Sequence, residues 1–260
     1  MAVRQYASTH DLEAAQVPLS REAARHIVTV LRLDVGGEVE LFDGCGASAA
    51  FALAAADGPP APVRALLREG RLVLRRTGEI RRVPRPAVPI TLGACVSKGA
   101  RMDWTIEKAV ELGASRIVPI ASDNCVVRFS GAPDSDAHRE RWARIATEAA
   151  RQCGAAYLPE IAAPVPLEAA LRSICTEGCA AFAGGLVPDA VPFRAALDAV
   201  RAAGRPRSAA WLVGPEGDFS GREYDILRKA GATLVSLGSL VLRTETAAMA
   251  GLCILSAEWP

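Results

Sequence analysis

The sequence predicts an α/β protein in two parts: a small strand-rich N-terminal domain over residues 1–76 and a larger domain over residues 90–260 built on a mostly parallel sheet. Three observations predict it. Short apolar runs bounded by turn residues fill the first part. The segment 77–89 carries Pro84, Pro86 and Pro89 among arginines, which suits neither helix nor inner strand, and reads as a link. Beyond it, short apolar runs alternate with longer helical stretches, the pattern of βα units covered on both faces.

In the first part, Ser20 to Leu33 has helical apolar spacing (Ala23, Ile27, Val30, Leu31). Gly36-Gly37 and the alternating run Glu38 to Phe42 follow, ended by Asp43-Gly44. Further short apolar runs at Ala49–Ala54, Val63–Leu67 and Leu72–Leu74 sit between turn signals.

In the second part, Ile90–Val96 reads as a strand, Gly99–Leu112 as a helix stopped by Gly113, and Ser115–Ile120 as a strand. A helix from about Ala137 to Cys153, a strand near Tyr157–Ile161 and a helix over Leu167–Ile174 come next. A strand at Cys179–Ala183, a helix over Phe193–Ala203, and strands at Ala209–Val213 and Thr233–Leu237 continue the series, and a long apolar helix closes it near Glu258. Sheets of this kind bind ligands at the carboxyl ends of their strands.

Composition narrows the class. Half of the 260 residues are apolar, yet no run has the eighteen or so apolar residues of a membrane span, and Met1 to His10 lacks the order of a signal peptide, so a cytoplasmic location is expected. Seven scattered cysteines read as reduced thiols. Cys175 and Cys179 have the spacing of one helix face, but nothing nearby completes a zinc tetrahedron, so no metal is expected. A net charge of +1 excludes nucleic-acid binding by bulk charge. Arginines do cluster between Arg64 and Arg85, which fits an RNA-facing surface or a merely solvated strand pair. No G-x-x-x-x-G-K-[ST] run supports a nucleotide hydrolase.

Two loops carry the chemistry. The run from Trp211 to Ser220 passes from a buried strand into a glycine-rich turn, Gly214-Pro215-Glu216-Gly217, where positive φ and close approach to a ligand are expected of Gly214 and Gly217. Ser220 and Glu223 form the pattern of a reciprocal helix cap. Downstream, Leu237-Gly238 leads to Val241-Leu242-Arg243-Thr244-Glu245-Thr246. Leu237, Val241 and Leu242 suit the faces of a flat ring, while Arg243, Glu245 and Thr246 crowd charge at a helix start. A surface salt bridge between Arg243 and Glu245 is the plainer alternative.

These two segments resemble the C-terminal signature of the RsmE family, SPOUT-class methyltransferases acting on N3 of a uridine in small-subunit ribosomal RNA. Lys98-Gly99, Arg101-Met102 and Lys108 to Gly113 are similar to its K-G-x-R-M and K-x-x-E-L-G stretches. His26 to Arg32 resembles its H-x-x-x-V-L-R motif, and Glu148 to Gly154 its E-x-x-x-Q-[SC]-G segment. The family's following arginine is replaced by Ala155, for which Arg151 is a candidate substitute.

The resemblance implies a PUA-like N-terminal β-barrel for RNA, a C-terminal SPOUT domain tied in a trefoil knot, and an obligate homodimer. It implies S-adenosylmethionine as cofactor, held by Gly214, Glu216, Gly217, Leu237, Gly238, Val241, Leu242 and Thr246. The substrate it implies is 16S ribosomal RNA or the small subunit. Arg243 and Glu245 are then the expected catalytic pair, Arg243 facing charge that develops on the uracil and Glu245 orienting it or a water. Arg32, Lys98, Arg101, Lys108 and Arg151 are the expected RNA contacts, with helix-surface ion pairs as the alternative for Lys108. Rival readings are a SPOUT enzyme acting on a ribose 2′-hydroxyl or a transfer-RNA base, and a non-catalytic assembly factor.

Overall fold

In the computed structural model, which describes residues 3–259, the chain divides into two compact units. The first contains the chain up to Arg85 together with Ala150–Tyr157, and the second Pro86–Ala149 and the chain from Leu158 onward.

The first unit contains β1 (Val3–Tyr6), α1 (Thr9–Glu13), β2 (Gln16–Pro18), α2 (Arg21–Arg25) with a π-helical continuation His26–Val30, β3 (Glu38–Phe42), β4 (Ala47–Ala55), α3 (Val63–Glu69), β5 (Leu72–Arg76) and β6 (Arg81–Arg82). The sheet order is β1-β3-β4-β5-β2, with β6 also on β4. Alternation along β4 buries Ala47, Ala49, Phe51 and Leu53 on one face, as a period of two requires. Leu12, Leu41, Leu66 and Leu74 close that core.

Two expectations need correction here. Val63–Leu67 is helical, because Val63, Leu66 and Leu67 recur at helical spacing and Gly70, at φ +67°, closes the helix. The segment 77–89 is not simply a link: Arg81–Arg82 pair with Ala47–Ser48, and only the prolines beyond leave the sheet. Sequence pattern also hid the return of Ala150–Tyr157 to this unit. There the Arg4 guanidinium donates to Ala150 O (2.8 Å) and Ala155 O (2.9 Å), and Tyr157 donates to Val83 O (2.7 Å).

The second unit contains β7 (Ile90–Cys95), α4 (Ala100–Glu111), β8 (Arg116–Ala121), the body of α5 (Ala132–Cys153), β9 (Glu160–Ile161), β10 (Val165–Pro166), α6 (Leu167–Ile174), β11 (Cys179–Gly184), β12 (Val191–Pro192), α7 (Phe193–Ala203), β13 (Ser208–Val213), α8 (Gly221–Lys229), β14 (Thr233–Ser236) and α9 (Thr244–Glu258). Its sheet runs β10-β8-β7-β13-β11-β14-β12, with β9 on β8, and every pairing is parallel. The central strands are mostly apolar because helices cover both faces; Leu92, Ile117, Trp211 and Leu212 are fully buried. The strand expected near Tyr157 shrinks to Glu160–Ile161, since Tyr157 belongs to the first unit. Cys175 ends α6 and Cys179 opens β11, so they do not share a helix face. Among the described residues no helix is long and apolar enough to cross a membrane.

Candidate active site

Four neighbouring strands, β7, β13, β11 and β14, point the same way, so their carboxyl ends meet at one edge of the sheet. The segments after them enclose a cavity of about 460 Å³, within the usual range for a small-molecule pocket. After β13 come Gly214, Pro215, Glu216 and Asp218; at the end of β11, Gly184, Gly185 and Leu186; after β14, Leu237, Gly238, Leu240, Val241, Leu242 and Arg243, with Glu245 behind them. The segment after β7 supplies Arg101.

The first loop holds its shape through side chains as well as glycine. The left-handed position is taken by Asp218 (φ +61°), not by Gly214 or Gly217. Asp218 tolerates it because its polar atoms are used locally: its N–H donates to Pro215 O (2.9 Å), Oδ1 accepts from Phe219 N (2.8 Å) and Oδ2 accepts from the Tyr224 hydroxyl (2.7 Å). The same Tyr224 oxygen accepts from Leu186 N (3.1 Å), linking the loops after β11 and β13. Burial, then donation to Asp218, pushes the Tyr224 phenol far above its usual value, so it remains a donor at neutral pH. Gly214 is needed because a Cβ would press on Phe219 and the Asp218 carboxylate.

A second layer supports the turn. Asn124 Nδ2 donates to Gly217 O (3.2 Å) and Asp218 O (2.9 Å). The Ser220–Glu223 capping box forms as the spacing predicts, and the buried Glu223 also accepts from Asp123 N (2.9 Å). In the loop after β14, Gly238 has φ +138° and its N–H donates to Ser236 Oγ (3.3 Å).

The expected cofactor residues Gly214, Glu216, Leu237, Gly238, Val241 and Leu242 line the cavity, as do Arg243 and Glu245. Gly217 and Thr246 do not: Gly217 packs on Asn124, and Thr246 is exposed one turn into α9. Arg243 and Glu245 make no ion pair with each other or with any other described residue. Arg243 occupies the cap position of α9 without a side-chain cap bond, and Glu245 sits in the first turn, where the helix dipole favours a negative charge.

The expected RNA contacts scatter. Arg101 lies at the cavity, its Nη1 donating to Glu216 Oε1 (2.8 Å). Lys98 is exposed in the turn before α4. Lys108 sits 2.8 Å from both Glu107 and Glu111, hydrogen bonds that push its ammonium up to about 12; this is the helix-surface pairing. Arg32 and Arg151 lie in the first unit. Arg32 holds φ +56° after the π-helical turn and borders a groove with Arg64 and Arg68, and Arg151 reaches toward Gln5 (3.4 Å). Asn124, Asp218 and Tyr224 went unnoticed in the sequence; the pair Gly184-Gly185 after a strand was a readable signal of the same kind as Gly214.

A family model described as an RNA methyltransferase domain matches residues 84–256. Ribosomal RNA small subunit methyltransferase E of Mycobacterium bovis is 31% identical over 237 residues, covering 90% of this chain and 84% of that protein. This chain belongs to the ribosomal RNA small subunit methyltransferase E family. Among solved structures, the methyltransferase E of Neisseria gonorrhoeae bound to S-adenosylmethionine has a TM-score of 0.80 at 25% identity, covering 100% of this chain and 98% of that one. A methyltransferase of Legionella pneumophila, also in complex with that cofactor, gives 0.82 at 27% identity, covering 99% of this chain and 98% of that one. In this methyltransferase E chain, the cavity at the ends of β7, β13, β11 and β14 is accordingly the candidate active site.

Proposed function

We propose that the protein transfers a methyl group from S-adenosylmethionine to N3 of a uridine in 16S ribosomal RNA, acting as a homodimer. The observation that carries this reading is the convergence of Gly214, Leu237, Leu242, Arg243 and Glu245 on one cavity. The lining suits the cofactor. Val235, Leu237 and Leu242 offer apolar faces to a flat ring, glycine backbone offers hydrogen-bonding groups without side chains in the way, and Glu245, which makes no ion pair with another described residue, supplies negative charge for a sulfonium.

S-adenosylmethionine bound in this cavity would supply an activated methyl group on a sulfonium whose leaving group is a neutral thioether. The protein's task is to hold the base in line, which supplies much of the acceleration. N3 must lose its proton, which passes to solvent water, and the electron pair left on N3 forms the new bond to the methyl carbon. Arg243, permanently charged, stabilises the negative charge that spreads onto the uracil oxygens, and Glu245 orients that guanidinium or a water. Asp218, Tyr224 and Asn124 keep the loop after β13 in place before any ligand arrives.

Support for the SPOUT trefoil knot lies in chain order: the chain runs out to β14, then α9 returns to pack on β7, β13 and α4. Support for the dimer lies in Leu240 and Val241, 78% and 76% exposed in the single chain beside the cavity. The mixed sheet of the first unit is compatible with a PUA-like RNA-binding barrel. Mass mapping of ribosomal RNA with and without the protein tests the function: N3-methyluridine is expected only with it, and an unchanged map overturns the reading.

A further inference from the structure

We infer that Arg101 contacts the target base, its guanidinium held by Glu216 so that its remaining N–H groups meet one of the two uracil oxygens beside N3. This rests on the uridine-N3 reading above. Among the four strands whose ends enclose the cavity, β7 and β14 are the outer pair, and each is followed by one arginine: Arg101 in the first turn of α4 and Arg243 at the start of α9. The glycine-bearing turns after β13 and β11 form the floor between them. Uracil N3 lies between two carbonyl groups, and loss of its proton spreads negative charge over both oxygens. A cation on each flank of the cavity matches that distribution; Arg243 alone would serve one side.

Charge separates this role from a phosphate contact. The Arg101–Glu216 pair, 2.8 Å apart at the cavity mouth, is neutral as a unit, so it attracts a phosphodiester weakly and releases few counterions. A neutral base whose oxygens become negative only as N3 is deprotonated is stabilised at that moment and hardly before. The pair also explains the geometry. Glu216 engages Nη1 alone, leaving the other donors of the fork free, and it restrains a side chain that is half exposed. Glu216 is on this view a positioning residue.

The test compares wild type with Arg101→Ala, Arg101→Lys and Glu216→Gln in single-turnover methylation across pH, alongside cofactor binding by calorimetry and salt titration of RNA binding. Arg101→Ala is expected to slow transfer about 100-fold and to move the rise of rate with pH upward by about one unit, because the anion of the base loses stabilisation. Arg101→Lys, which lacks the fork, recovers part of the rate, and Glu216→Gln falls between wild type and Arg101→Ala. For the two Arg101 variants, cofactor affinity and salt slope are expected to stay near wild type. An unmoved pH profile overturns the assignment, whether Arg101→Ala instead weakens the cofactor, lowers the salt slope or changes nothing. If wild type itself forms no N3-methyluridine, the function reading is what falls.

Discussion

The indole of Trp211 in β13 lies directly against Gly251 in α9, and its Nε1–H donates to Ala247 O (3.0 Å) in the same helix. Trp211 is fully buried and stacks on Phe193, with ring centroids 5.2 Å apart. A Cβ at Gly251 would overlap the indole, and a ring fixed on both faces has no way to yield. Gly251→Ala is therefore expected to destabilise the second unit by about 1–3 kcal/mol and to lower its unfolding midpoint by several degrees, measured by thermal denaturation. A midpoint equal to wild type would show that the helix can slide away from the strand.

Tyr224 joins two loops that line the same cavity. Tyr224→Phe removes one hydrogen bond to Asp218 and one from Leu186 N while keeping the ring. The stability cost is expected to be modest, about 1 kcal/mol. Affinity for S-adenosylmethionine should fall more visibly, roughly three- to tenfold, because the loops no longer arrive ordered. Calorimetry on the free protein checks this, and an unchanged Kd would mean that the loops hold independently.

Much of the second unit was legible because helix and strand periods differ so clearly there: Leu167–Ile174 and Phe193–Ala203 fall where the spacing puts them. The cavity-lining residues of the candidate site were legible for a related reason. Gly214, Gly238, Arg243 and Glu245 stand out as glycines or charges at the ends of apolar runs. Their supports did not stand out. Asn124 and Tyr224 reach the loop from 93 and 6 residues away along the chain, and a polar or aromatic residue in an ordinary stretch carries no mark of its partner. Asp218 was overlooked for a different reason: with two glycines beside it, a left-handed aspartate is the less expected solution. In the first unit, two-residue strands and the return of Ala150–Tyr157 depend on long-range pairing that local pattern does not encode.

Asp43 sets an acid limit on the first unit. Buried in the turn between β3 and β4, its carboxylate accepts from Cys45 N (2.8 Å), Ala47 N (3.0 Å) and the Thr9 hydroxyl (3.1 Å). Burial alone would raise its pKa, but these donors outweigh burial and hold it below the usual value. A carboxyl depressed by folding contributes stability that is fully present above its unfolded value, about 4, and that is lost as pH falls through the lower folded value. The first unit is thus expected to weaken in that acid window. Asp43→Asn should be less stable at neutral pH and show a flatter acid limb, read by denaturant unfolding at several pH values. An acid limb as steep as wild type would assign the loss to other carboxyls.

Arg243 and Glu245 lie in the same cavity without pairing, although they are two residues apart and oppositely charged. An arginine at the mouth of a helix, making no ion pair with a described carboxylate, keeps its donors for an incoming group. Arg243→Ala is expected to slow single-turnover methylation by about 100- to 1000-fold, the scale of losing one preorganised donor to a developing oxyanion. Cofactor affinity should change little, since the apolar lining proposed for the ring comes from Val235, Leu237 and Leu242. Glu245→Gln should lose less, because a neutral amide can still hold a water beside the base through its oxygen. Rapid-quench assays with saturating cofactor and RNA separate transfer from binding. A wild-type transfer rate in Arg243→Ala would remove Arg243 from the mechanism and leave the glycine-rich turns and the Arg101–Glu216 pair to carry it.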